Sequence, residues 1–243
     1  MPVLAAMVVS GLTFALADHG WADADLRAMI APLVTFLPGG MLTMAVVELA
    51  AGEMITGASR LVAGALQLLL LGFGIVAGAQ IAGLPSTENL VNDPENLLGW
   101  WASWAGVLIF GLGAYIYFSA PRGTLRWLLL VLLSAWLGQR IGAEALGGYL
   151  SGFAGGLVMT LVAYAVERRP TGPPALVTFL PCFWLLVPGA LGLIGVTEYI
   201  DADQSAGIED FLGTLGAMIS IALGVLCGYP ADRAVREASG AAS

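Results

Sequence analysis

The sequence predicts an all-α fold, a polytopic transmembrane helical bundle of about eight spans, in which two helices broken by Pro-Gly pairs form an inverted repeat. Three observations carry that expectation. Hydrophobic residues make up 58% of the 243 residues and charged residues 11%, a balance foreign to soluble domains. The apolar residues fall in long runs between short polar breaks, as suits helices that satisfy their own backbone hydrogen bonds in lipid. The alternating strands of about ten residues that a membrane β-barrel needs are absent from the sequence.

In chain order the first span is Val3 to Ala17. It is short, and Ala15-Leu16-Ala17 fits a small-residue cleavage pattern, but no positively charged segment precedes it. It is therefore read as a helix; cleavage would leave seven spans and an outside N-terminus. The second span, Met29 to Ala51, carries Pro38-Gly39 near its middle. Proline removes a backbone donor and clashes with the preceding turn, and glycine weakens a helix, so the pair should kink or break it. The third, Leu61 to Leu84, follows ELAAGEMITGASRL and holds Gln67 and Gln80, amides that need partners in lipid. The fourth is Leu98 to Phe118. The fifth, Leu125 to Gln139, is short, and a helix of that length reaches only about 22 Å. It would need protein neighbours or a thinned bilayer. The sixth, Ala145 to Val166, holds Gly148, Gly152 and Gly156, a small-residue ridge suited to close helix packing. The seventh, Ala175 to Ile200, carries Pro188-Gly189, and the eighth is Phe211 to Tyr229.

If the spans alternate, one side holds Arg60, Arg122, Arg126, Arg168, Arg169, Arg233 and Arg236, while the other holds only Arg27 and Arg140. The positive-inside rule then places both termini in the cytoplasm. Acids such as Asp18, Asp23, Asp25, Glu88, Asp93, Glu95, Glu144, Asp201, Asp203, Glu209 and Asp210 fall outside.

Several function classes are disfavoured. The basic residues are all Arg and form no stripe for nucleic acid. Cys182 and Cys227 have neither disulfide nor zinc spacing. His19 with Asp18, Asp23 and Asp25 could be read as a metal site but better fits a solvated loop, as does the acidic run from Asp201 to Asp210, which lacks the turn glycine of a calcium loop. No nucleophile has a His partner and no phosphate-binding Lys exists, so neither an enzyme nor a cofactor is expected.

The hexapeptide LVTFLP occurs at Leu33 to Pro38 and again at Leu176 to Pro181. That alignment fails immediately afterwards, where Gly39 meets Cys182. An offset of 150 instead pairs Pro38 with Pro188, Gly39 with Gly189, Val46 with Val196 and Glu48 with Glu198. Five helix steps separate the second and seventh spans, so the two broken helices run in opposite directions, the pattern of an inverted repeat whose interrupted helices present backbone groups to a ligand. Pro38, Gly39, Thr43, Pro188 and Gly189 are the candidate substrate-binding residues. Glu48, Glu53, Arg60 and Glu198 are candidates for gating or proton coupling, against a reading as interfacial charges, with Glu53 and Arg60 flanking a turn. Most threonines within spans, Thr35, Thr160, Thr178 and Thr197 among them, can return their hydrogen bond to their own helix.

The stretch LVTFLPGGMLTMAVVELAAGEMITGASRLVAGALQLLLLGFGIVAG, with FLPCFWLLVPGALGLIGVTE, resembles the membrane portion of the threonine/serine exporter family. Weaker likeness extends to PRGTLRWLLL and the RRP loop. The resemblance implies a multi-pass protein of a bacterial inner membrane that exports small amino acids such as threonine and serine, with proton coupling. Dicarboxylate efflux, as of succinate, is the neighbouring reading, and a non-transporting subunit of a transport complex is another. Full-length members carry more before the first Pro-Gly helix. On that comparison residues 1–97 are a remnant of the first transporter half and 98–243 the second half. The partners implied are a small amino acid, membrane lipid, and a second copy or a partner membrane subunit.

Overall fold

The computed structural model describes residues 1–18, 26–83, 99, 101–147, 150–186, 193, 196, 197 and 204–240. It is all-helical, with no strand among the described residues. The helices are α1 (Pro2–Asp18), α2 (Leu26–Leu33), a 3-10 turn (Val34–Phe36), α3 (Gly39–Ala50), α4 (Met54–Ile81), α5 (Trp101–Tyr117), α6 (Leu125–Leu146), α7 (Ser151–Glu167), α8 (Ala175–Leu186) and α9 (Gln204–Gly240). Stretches Met54–Ile81, Leu125–Ala145 and Leu212–Ala234 are long and apolar enough to cross a bilayer; the α2–α3 pair passes the same test across its bend, and α1, α5, α7 and α8 are shorter apolar helices. Each of the eight expected spans thus has a helical counterpart.

Several boundaries differ from expectation, each for a local reason. The chain turns at Gly52, where φ is +90°, a conformation that suits glycine. Helix α4 therefore starts at Met54 rather than Leu61, and Thr56, Ser59 and Arg60 lie inside it. Glu53 and Arg60 accordingly do not flank a turn. The fifth span is not short: α6 continues through Arg140 and Glu144 to a C-cap at Gly147, φ +85°, and its 22 residues reach about 33 Å. An exposed i,i+4 ion pair, Arg140–Glu144 at 4.0 Å, lies on that added length, and the sixth span starts at Ser151 rather than Ala145. Glu209 and Asp210, expected in a loop, lie in α9, whose 37 residues reach about 55 Å. His19, Asp23, Asp25, Gly148, Pro188, Gly189 and Glu198 lie outside the described residues.

The helices gather into two compact units. In the first, α1 lies along α4 in the groove left by two glycines. A Cβ at Gly74 would stand 2.6 Å from the Val3 carbonyl oxygen and 2.7 Å from Ala6 Cβ; one at Gly78 would overlap Ser10 Oγ and stand 2.6 Å from the Met7 carbonyl oxygen. Ala6, Ser10 and Phe14, spaced four apart, are buried on this face, while Leu4, Val8 and Leu12 are exposed. That split follows the lipid setting: a bilayer gives little hydrophobic drive for helix association, so close packing at small residues holds the pair.

The second unit contains α5 to α8 and the body of α9. Helices α6 and α7 form an antiparallel hairpin whose contacts run from Gly142 against Ala154 to Gly138 against Val158. Helices α7 and α9 run parallel. A Cβ at Gly152 would meet Ile221 Cγ1 at 2.8 Å, one at Gly156 would stand 2.6 Å from the Ile221 carbonyl oxygen, and Gly224 and Gly228 pack in turn against Phe153 and Thr160. The ridge expected from Gly152 and Gly156 is therefore met by a second glycine ridge on α9. Parallel packing of α1 with α4 and of α7 with α9, and the antiparallel α6–α7 hairpin, agree with strict alternation of the spans. Cys182 is buried in α8 and Cys227 exposed on α9, both as free thiols.

Candidate functional site

In the first unit the helical backbone is interrupted at Pro38. Helix α2, itself containing Pro32, tightens into the 3-10 turn, Leu37 is extended (φ −69°, ψ 125°), and α3 leaves at a 46° bend. The second copy of the same hexapeptide behaves differently, since α8 passes through Pro181 without interruption. Context decides between them. In the first copy the proline is followed by Gly39-Gly40 and preceded by Pro32, whereas the second begins its helix just after Pro173-Pro174 and continues into Cys182-Phe183. Proline costs about 3 kcal/mol and glycine about 1 kcal/mol in a helix interior, so the first copy accumulates penalties that the second avoids.

At the break, a donor end and an acceptor end adjoin. Leu42 N–H bonds the Pro38 carbonyl at 2.8 Å as α3's first interior bond, which leaves the N–H groups of Gly39, Gly40 and Met41 as the helix's orphan donors, at the positive end of its dipole. On the other side, Pro38 has no N–H to offer Val34, whose carbonyl instead accepts from Leu37 at 3.2 Å. Pro38, Gly39 and Gly40 are buried. Thr43, fully buried one turn into α3, donates its hydroxyl to the Gly39 carbonyl at 3.0 Å, so its oxygen keeps its lone pairs as an acceptor. Thr160, Thr178 and Thr197 make the same kind of local bond, whereas Thr35 is exposed.

The Phe36 carbonyl, which in an unbroken helix would accept from Gly40, accepts from Gln67 Nε2 of α4. Gly64, one turn before Gln67, brings α4 close to α3: its Cβ would stand 2.5 Å from Leu42 Cδ2. Gln80 is exposed. Glu48 lies near the far end of α3, ten residues beyond Pro38, half-buried with its Oε2 shielded from solvent. Glu53 is the exposed N-cap residue of α4, and Arg60, also exposed, lies two turns into that helix. The structure thus brings Pro38, Gly39 and Thr43 together at the break and sets Glu48, Glu53 and Arg60 at the other end of α3 and beyond the turn.

One charged pair escaped the sequence reading. Arg168, at the end of α7, places Nη1 2.6 and 2.8 Å from the two carboxylate oxygens of Asp232 on α9. The Asp232 side chain is 5% exposed and that of Arg168 42%. Beside the pair, Glu167 accepts from the Ala175 N–H at the start of α8 at 3.4 Å, and Arg126 of α6 donates to Thr171 at 2.8 Å. The signal was present: Gly224, Gly228 and Asp232 continue one i+4 row. Removing one member of a buried pair strands the other, although exposure of Arg168 moderates the cost. Arg168→Ala should therefore lower stability by about 2 kcal/mol. In a thermal-melting double-mutant cycle, adding Asp232→Ala should recover part of that loss; strictly additive effects would show that the pair contributes nothing.

Comparison with known proteins adds one match. Residues 1–82 match the ThrE family, described as "Putative threonine/serine exporter". The match contains the whole stretch from Leu33 to Gly78 on which the resemblance was read, including Pro38, Gly39, Thr43, Glu48, Glu53 and Arg60, and ends before Pro188, Gly189 and Glu198. No curated protein and no solved structure matches the chain.

Proposed function

We propose that this multi-pass membrane protein is a secondary-active exporter of small hydrophilic amino acids, threonine and serine, driven by protons, and that the break at Pro38-Gly39 receives the substrate. The single observation that carries this reading is the juxtaposition of donor and acceptor ends at one buried break. A zwitterion is complementary to both: its carboxylate meets the N–H groups of Gly39, Gly40 and Met41, while its ammonium meets carbonyl oxygens before Pro38 and the Thr43 hydroxyl oxygen. A dicarboxylate offers two anions to a site with one donor end, which favours the amino acid. The family match of residues 1–82 supports the same substrate class.

In this reading Pro188-Gly189 supplies equivalent backbone groups in the second half, residues 98–243. Glu48, Glu53 and Arg60 serve the cytoplasmic gate or the proton path, and Glu198 serves the outer end. The protein acts in a bacterial inner membrane with both termini in the cytoplasm. Purified protein in proteoliposomes should accumulate labelled threonine and serine when a proton gradient is imposed, and succinate far less. Succinate accumulation alone would replace the substrate assignment. Accumulation of none of the three by folded protein would favour a subunit that works only within a complex.

A further inference from the structure

Toward the end of α6, Trp136, Arg140 and Glu144 stand at i, i+4 and i+8, each about 6 Å further along the helix than the last. The row is held by contacts. The Arg140 guanidinium lies over the Trp136 ring, 5.6 Å from its centroid, and Arg140 Nε stands 4.0 Å from Glu144 Oε1. Trp104 of α5 meets Trp136 edge to face, with ring centroids 4.7 Å apart. The two helices come close enough for this because of Gly111, whose Cβ would stand 2.5 Å from Leu129 Cδ2.

These charges are positioned but not consumed. A contact of 4.0 Å through Nε is longer than a hydrogen bond, and it engages one of the five donors of the guanidinium. The two side chains are 53% and 76% exposed, so their mutual attraction is weak and yields readily to another partner. The stretch Leu125–Ala145 crosses the bilayer, which sets this end of α6 at the membrane surface. Trp104 and Leu108, one turn apart on α5, are exposed there as apolar surface for a lipid chain.

The order of the row matches one kind of lipid. Outward from the hydrocarbon, a zwitterionic phospholipid presents ester groups, then a phosphate, then an ammonium. Outward along α6 come an aromatic pair, then a cation, then an anion. Indole rings suit the ester level, a guanidinium binds phosphate bidentately, and a carboxylate accepts from an ammonium. The other end of the helix lacks this order. Arg126 lies over Trp127 at 5.0 Å, but the residues four before and four after it are Arg122 and Leu130, neither of them acidic.

We infer that Trp104, Trp136, Arg140 and Glu144 form a binding site for a zwitterionic phospholipid, with its phosphate on Arg140 and its ammonium on Glu144. Native mass spectrometry of the purified chain, given equimolar phosphatidylethanolamine and phosphatidylglycerol with identical acyl chains, tests it. Wild type should retain the ethanolamine lipid in preference. Glu144→Gln should cut that preference about threefold, the scale of one exposed ion pair, because only the zwitterion uses the carboxylate. Arg140→Gln should lower retention of both lipids, since both offer a phosphate. Glu53→Gln removes an exposed carboxylate from the other compact unit and, as the net-charge control, should leave the preference unchanged. The substituted positions are exposed, so each variant should melt as wild type does. A wild type without the preference, an unchanged preference in Glu144→Gln, or an equal change in Glu53→Gln would overturn the inference. Soluble glycerophosphoethanolamine at the same concentration should not displace the lipid; displacement would overturn the assignment of a membrane lipid as the ligand.

Discussion

Gly156→Leu should leave no monodisperse protein after detergent extraction, while Gly113→Leu should extract and melt as wild type does. Both are glycines within apolar helices, and hydropathy does not separate them. Their surroundings do. A Cβ at Gly156 would stand 2.6 Å from the Ile221 carbonyl oxygen and 3.4 Å from the Ile221 Cα, so it would collide with backbone that no rotamer change can move. A Cβ at Gly113 of α5 meets nothing within 4 Å. Overpacking a tight core costs about 1–3 kcal/mol for a few methylenes where side chains can yield, and a leucine against a fixed backbone goes beyond that. Gly156→Ala should already lower the melting temperature measurably. If Gly156→Leu extracts and melts like Gly113→Leu, the α7–α9 contact is not the packing seam described above.

Gly39→Leu should reduce threonine uptake by at least about tenfold, or about 1.4 kcal/mol in the barrier, in protein that still melts cooperatively. Gly39 is buried and opens α3 directly after Pro38. A leucine there puts four carbons beside the N–H groups that the proposed substrate carboxylate uses, and it does so at a helix start, where the backbone demands little of the residue. Gly113→Leu is the size control, since Gly156 belongs to a packing seam and would confound folding with transport. Uptake by Gly39→Leu equal to that of Gly113→Leu would mean that substrate does not pass the break.

The sequence made the membrane bundle and the first break legible because both rest on strong local chemistry. Long apolar runs have few solutions in lipid, and Pro38-Gly39-Gly40 after Pro32 leaves a helix little choice. Helix ends were less legible. Arg140 and Glu144 read as loop residues by charge, yet an i,i+4 pair is at home on an exposed helical face, and α6 continues until Gly147 supplies the φ that ends it. Thr56 and Ser59 similarly read as a polar break although both belong to α4. The two LVTFLP segments show the same limit from the other side: identical letters form a 3-10 turn with an extended exit in one place and regular helix in the other, because the residues on either side differ. Asp232 was overlooked because its significance lies in a partner 64 residues away on a different helix.

The groove between α1 and α4 also bears on how the protein is made. The chain that carries Gly78 is synthesised roughly 60 residues after α1, an interval of about 3–12 s at ordinary translation rates. During that wait α1 has no α4 to pack against, and Ser10 on its inner face would confront lipid. Its hydroxyl already bonds the Met7 carbonyl within α1 at 3.2 Å, and Thr13 bonds Val9 at 2.9 Å. The helix can therefore enter the bilayer with the hydroxyls of Ser10 and Thr13 already bonded to its own backbone, and Ser10 can meet its late-arriving partner through shape, without first having to break a polar contact made with something else.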